Sequence, residues 1–385
     1  MTLFGDFYFF AWVAALMIPA AVLGIFEKNL KYYGFAVSIF FIWMVMGGKP
    51  VAIINLVLYC IYEYVLVQVF LRLYRKYGRN AKVYWLVLIL SLMPLIVWKV
   101  SAFGGHSIFA FMGLSYMTFK SAQVIIEIYD GLIKEVKGFE FIYFLIFFPA
   151  LSSGPIDRSR RFHEDFTRVI PKDEYLDMVG SGLYKVCLGM LYKFVLASAW
   201  YQGIVWLGTG DHWWNNVLYM YSYGFYLFFD FAGYSLMAIG VSYMLGIKSP
   251  ENFNKPFLST DMKDFWDRWH MSLSYWFRDF IFSRFMMRAI KGKWFKNKLM
   301  GASIGFMINM SVMGIWHGLD IYYIMYGVYH GVLLALTEIY QKKSKFHKKN
   351  KKKAWYRRIS WFITLNLAMF GFFIFSGRFT EVIGL

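Results

Sequence analysis

LMGASIGFMINMSVMGIWHGLDIYYIMYGVYHGVLLAL, residues 299–336, holds two long apolar runs joined by a short polar turn. As a helix, the first run, Leu299 to Trp316, rises about 27 Å at about 1.5 Å per residue. The hydrocarbon core of a bilayer is about 30 Å thick, so each run reads as a membrane span. Between them stands His317, beside Trp316 and Gly318. An imidazole there is costly unless it is hydrogen-bonded or faces water inside the bundle, and ionisable groups at membrane depth are functional candidates by default.

The rest of the 385-residue chain agrees. Hydrophobic residues make up 59% and charged residues only 17%, which excludes an ordinary soluble domain. Further apolar runs at Phe7–Phe26, Val83–Val97, Val217–Leu245 and Ile359–Phe375, and a long one from Tyr175 to Leu207, predict an all-α polytopic membrane protein. With shorter runs included, about 10–11 transmembrane helices are expected, together with re-entrant or interfacial helices. No basic residue precedes the first run, which reads as a retained span and not a cleaved leader. Cys60 and Cys187 lie in apolar segments without metal-ligand spacing, so neither a metal site nor a disulfide is expected.

The net charge of +18 is concentrated in loops: 72–82, 158–168, 284–298 and 342–358. The last holds ten Lys or Arg and no acid, and is drawn to anionic lipid headgroups. This is positive-inside topology in a plasma membrane and not a nucleic-acid footprint, and it places both termini outside. The segment GTGDHWW, 208–214, reads as an outer turn. No soluble domain or repeat stands out, so residues 1–385 are expected to form one membrane domain.

Two regions break the pattern of spans. Pro149, Gly154 and Pro155 predict a broken or re-entrant helix after Ile108. FWDRWHMSLSYWFRDF, 265–280, reads as one amphipathic interfacial helix: Trp266, Trp269, Leu273, Trp276, Phe277 and Phe280 share a face, and charged residues share the other. His270 and Ser274 fall four apart on the boundary, while Asp264, Asp267, Arg268, Arg278 and Asp279 are expected to form structural ion pairs. His330, inside a span, is a secondary candidate. Polar residues also punctuate GLSYMTFKSAQVIIEIYDG (113–131) and FFDFAGYSLMAIG (228–240), marking Ser115, Tyr116, Asp230 and Tyr234, with Ser274 and Trp316, as candidates to line a cavity or path. In the basic loop 284–298, Phe285, Met286 and Met287 beside Arg288, Lys291 and Lys293 suit an acidic protein partner, charge steering the encounter and flexible side chains supplying area.

WHMSLSYWFRDF (269–280) followed by GIWHG (314–318) resembles the membrane-bound O-acyltransferase family. The likeness continues in GLSYMTFKSAQVIIEIYDG, LSSGPIDR (151–158) and FFDFAGYSLMAIGVSYMLGI (228–247), spanning roughly residues 104–335. It implies a ring of membrane helices around a central tunnel, His317 as the catalytic residue and His270 as the second functional position. Within the family the chain is most similar to the branch that transfers D-alanine to teichoic acid. That likeness implies an acidic cytoplasmic carrier protein bearing D-alanine on 4′-phosphopantetheine, no cofactor bound by the chain itself, a hydroxyl-bearing (lipo)teichoic acid acceptor outside, and room for membrane accessory proteins. The alternatives are a polysaccharide O-acetyltransferase like the alginate branch and, in another class, a solute transporter.

Overall fold

The computed structural model describes residues 2–207 and 212–385, and these are helical and connecting segments without strand. The expected outer turn falls largely on 208–211, outside the described residues; its last two residues, Trp213 and Trp214, are exposed and open a helix. The chain divides into two compact units, residues 1–191 with 233–250, and residues 192–232 with 251–385.

The first unit contains α1 (Phe7–Ile25), α2 (Lys31–Met46), α3 (Pro50–Tyr77), α4 (Ala81–Phe103), α5 (Leu114–Tyr129), α6 (Gly138–Ile146), α7 (Ser159–Thr167) and α8 (Lys172–Met190). Local chemistry sets several of these bounds. The Asp6 carboxylate accepts the Phe9 N–H at 2.8 Å and caps α1, and Pro50 opens α3, where a missing N–H costs nothing. All of α5 is buried except Ser115 and Tyr116, which are half-buried.

The polar residues of α5 tie down the interrupted segment expected from Pro149 and Gly154. α6 stops at Ile146, and a 3-10 turn, Phe148–Ala150, follows. Lys120 Nζ donates to the carbonyls of Phe144 (2.9 Å) and Leu145 (3.3 Å), supplying donors to the open end of α6. Gln123 donates to the Asp157 carbonyl at 3.0 Å, and Ser159 Oγ donates to Glu127 at 2.8 Å. Much of the polarity of 113–131 is therefore spent holding broken backbone, which survives at membrane depth only when protein surrounds it.

The second unit holds α9 (Ala197–Leu207), most of α10 (Trp213–Met244), α11 (Met262–Trp266), α12 (Met271–Phe277), α13 (Ser283–Lys291), α14 (Lys298–His317), α15 (Ile321–Lys343), α16 (Lys345–Asn350), α17 (Ala354–Phe375) and α18 (Arg378–Val382). A π-helical turn, Leu191–Leu196, joins α8 to α9 in one 36-residue span.

Among the described residues seven helices are long and apolar enough to cross a membrane: α1, α3, α4, α8 with α9, α10, α14 and α17. The gap from the expected ten or eleven has physical causes. α2 and α5 are only 16 residues long, α6 ends at its break, and α15, 23 residues long, carries Glu338, Gln341, Lys342 and Lys343 in its last turns.

Candidate functional site

The stretch expected as one amphipathic helix is broken in the structure. α11 ends at Trp266, α12 begins at Met271, and a π-helical turn, Arg278–Phe282, separates α12 from α13. His270 stands in the first gap with left-handed backbone, φ 43°, a conformation that costs a non-glycine residue roughly 1–2 kcal/mol. Its neighbours hold it there. The Asn252 carbonyl accepts the Met271 N–H at 2.8 Å, the Asn252 amide oxygen accepts from Ser272 N and Oγ, and Asn254 N–H donates to the Arg268 carbonyl at 3.0 Å. The helical wheel still found the buried face, since Trp266, Trp269, Leu273, Trp276 and Phe277 are all buried. Ser274, expected on the boundary, is half-buried, and its hydroxyl donates to the Trp269 carbonyl at 3.0 Å. Arg268 pairs with Asp264 at the expected four-residue spacing, whereas Arg278 pairs with its neighbour Asp279 and with Asp267 across the break, not along one helix.

His270 is 4% exposed, and its ring meets Phe231 edge-on at 4.6 Å. Its Nε2 is buried with no hydrogen-bond partner among the described residues. A buried polar atom left unpaired costs about 1–3 kcal/mol and calls for an explanation. Burial first, and the His317 imidazole second, hold His270 well below the usual histidine range, so its ring is neutral.

His317 is the last residue of α14, half-buried and set among aromatic rings: Trp316 at 4.6 Å, Phe375 at 5.1 Å, Tyr323 at 6.1 Å and Tyr326 at 6.2 Å. Its place is fixed by the close crossing of α14 and α15. A Cβ on Gly314 would lie 2.5 Å from the Tyr323 carbonyl and 3.1 Å from the Gly327 Cα, while one on Gly327 would lie 2.5 Å from the Met310 carbonyl. Small residues at such crossings let backbones touch. A Cβ on Gly318 would run into the Tyr323 ring.

His330 is fully buried on α15, and its Nδ1 accepts the Trp266 indole N–H at 3.3 Å. That bond ties α11 to the span and gives His330 a packing partner. A cavity of about 230 Å³ adjoins the same elements and is lined by Trp266, Ser274, Tyr275, Asn309 and Met310, among others. Asn309 had escaped the sequence reading, in which Tyr275 belongs to the polar face of 265–280 without a functional role. Asn309 has a buried, unpaired Oδ1, and the rule that singled out His317, a polar side chain in an apolar span, applies to it equally.

The remaining candidates are dispersed. Ser115, Tyr116 and Tyr234 lie in the first unit, where the Tyr234 and Ser152 hydroxyls bond at 2.9 Å. Asp230, Ser274 and Trp316 lie in the second, and Asp230 is ion-paired with Lys193 in the π-helical turn. Of the basic-apolar stretch on and beyond α13, Met287, Arg288, Lys291 and Lys293 are exposed, as are Ile290 and Trp294. Phe285 and Met286 are half-buried: the Phe285 ring packs against Trp294 at 6.0 Å and Phe295 at 6.3 Å, and Met286 lies near Gly301. Both stand three or four residues before Ala289, the buried residue of α13, and so share its face.

Comparison with known proteins adds the lineage. The chain is 40% identical over 390 residues to the teichoic acid D-alanyltransferase of Bacillus subtilis (strain 168), covering 98% of both chains. It is 40% identical over 398 residues to that of Streptococcus thermophilus, covering 98% of this chain and 96% of the relative. A probable alginate O-acetylase of Pseudomonas aeruginosa is 30% identical over 278 residues, 70% of this chain but 49% of the relative. The family model for membrane-bound O-acyltransferases matches residues 40–380, which include both histidines and nearly all the spans. The chain belongs to the membrane-bound O-acyltransferase family.

Proposed function

We propose that this acyltransferase moves D-alanine from the 4′-phosphopantetheine thioester of an acidic carrier protein to a hydroxyl of teichoic acid on the other side of the membrane. Two relatives bearing the teichoic acid D-alanyltransferase name match it along almost their whole length, which favours this reading over polysaccharide acetylation. The observation that carries the chemistry is the pair of histidines in one unit: His317 at the end of a span, and a neutral His270 whose buried Nε2 lacks a partner.

His317 takes the proton of the acceptor hydroxyl as its oxygen attacks the thioester carbonyl. The C–S bond then breaks, and the pantetheine thiolate recovers the proton. General-base help of this kind contributes about 10²–10⁴ in rate. His270 Nε2 is suited to meet the carbonyl oxygen as negative charge grows on it, a service worth about 10²–10³. The cavity beside Ser274 and Asn309 accommodates the approaching arm. The exposed face of Met287, Arg288, Ile290, Lys291 and Lys293 suits the carrier.

Reconstituted protein carrying His317→Gln, supplied with alanylated carrier inside and acceptor outside, should transfer about 10²–10⁴ less label while binding carrier normally. Turnover near wild type sinks the assignment. Label trapped covalently on the protein and chased into acceptor would replace direct attack with a relay.

A further inference from the structure

Outside the candidate site, a cavity that combines volume, charge and an apolar wall lies in the second unit, between the end of α15, α16 and the start of α17. It measures about 680 Å³. Trp355, Ile359 and Ile363 line it at intervals of four on α17, and all three are exposed; Leu367 continues the row. Four-residue spacing puts them on one helical stripe that runs into the apolar span. Lys351 and Arg357 line it too, within the 342–358 stretch that holds ten Lys or Arg and no acid.

The polar wall is organised beforehand. His347 Nδ1 and the Tyr356 hydroxyl bond at 2.9 Å, and Tyr356 donates to the Tyr340 hydroxyl at 3.2 Å. The acid on the wall, Asp261, is engaged, accepting the Gln341 amide at 2.9 Å and the Lys263 and Asp264 N–H groups at the start of α11. Its single negative charge is outweighed by the two cations on the cavity wall, Lys351 and Arg357.

We propose that this cavity holds an anionic phospholipid of the cytoplasmic leaflet, its phosphate at Lys351 and Arg357 and an acyl chain along Ile359, Ile363 and Leu367. Charge complementarity and continuity with the span's apolar face select this occupant. A soluble protein segment has no use for a groove that opens onto hydrocarbon, and basic pockets between spans on the cytoplasmic side are where anionic headgroups lodge. The interfacial Trp355 is at the level where indole rings settle. The site stands independently of the proposed transfer reaction.

The test uses the whole protein, delipidated in neutral detergent and titrated with phosphatidylglycerol or phosphatidylcholine, with bound lipid counted by native mass spectrometry. Phosphatidylglycerol should be retained preferentially. Lys351→Gln with Arg357→Gln should weaken its binding about thirtyfold, at about 1 kcal/mol per cation. Lys352→Gln with Arg358→Gln removes the same charge from neighbours outside the cavity lining and should leave binding unchanged. Thermal unfolding of both variants checks that the fold persists. Equal losses in the two variants would reduce the site to diffuse attraction by the basic run, and equal binding of the two lipids would reduce it to an apolar groove; either result overturns the proposal.

Discussion

His270 combines three costs at one residue: a left-handed backbone, complete burial of an imidazole and an unpaired ring nitrogen. Strain of this kind persists where the surroundings over-determine it, and it gathers at functional sites. Asparagine tolerates left-handed backbone better than most residues, so His270→Asn separates conformation from chemistry. We expect its melting temperature to stay near that of the parent while transfer falls about 10²–10³; a parallel loss of both would make His270 structural. His317 stood out in the sequence because a polar group in an apolar run is expensive wherever the chain folds, whereas His270, on the boundary of an amphipathic stretch, was singled out by the family resemblance. The posture of His270 was not legible. A helical wheel assumes continuous helix, and the clamp that breaks it comes from Asn252 and Asn254, beyond any local period.

At the scale of elements, two devices hold broken or crowded backbone in place. Lys120→Met leaves the Phe144 and Leu145 carbonyls without their donor. We expect a loss of about 1–3 kcal/mol, read as a lower unfolding temperature in detergent. Gly327→Val pushes a branched side chain into the α14 backbone at Met310 and Gly314. Overpacking of this kind costs about 1–3 kcal/mol, and the same measurement should show it, with activity falling because His317 closes α14. Spans showed clearly in hydropathy, since length and apolarity are additive along the chain. The ends of α5 and α6 did not, because the carbonyls that Lys120 satisfies lie 24 and 25 residues away.

For the molecule as a whole, a net charge of +18 governs encounters before any contact forms. If the exposed face of α13 receives an acidic carrier, Arg288→Glu with Lys291→Glu should raise the KM for carrier and leave kcat nearly unchanged, and added salt should do the same to the parent protein. A fall in kcat alone would argue against docking there. Composition made the net attraction readable, but not which side chains present it; Phe285 and Met286 are half-buried against Trp294, Phe295 and Gly301, while Met287 and Arg288 are exposed. The glycine seam between α14 and α15 has a further consequence, for the response to bilayer thickness. Helices in backbone contact at Gly314 and Gly327 cannot slide past one another, so a thinner or thicker membrane is met by tilting the pair together. His317 then changes depth without leaving Tyr323 or Tyr326, and lipid chain length adjusts how far an acceptor must reach while the arrangement of the reacting groups is preserved.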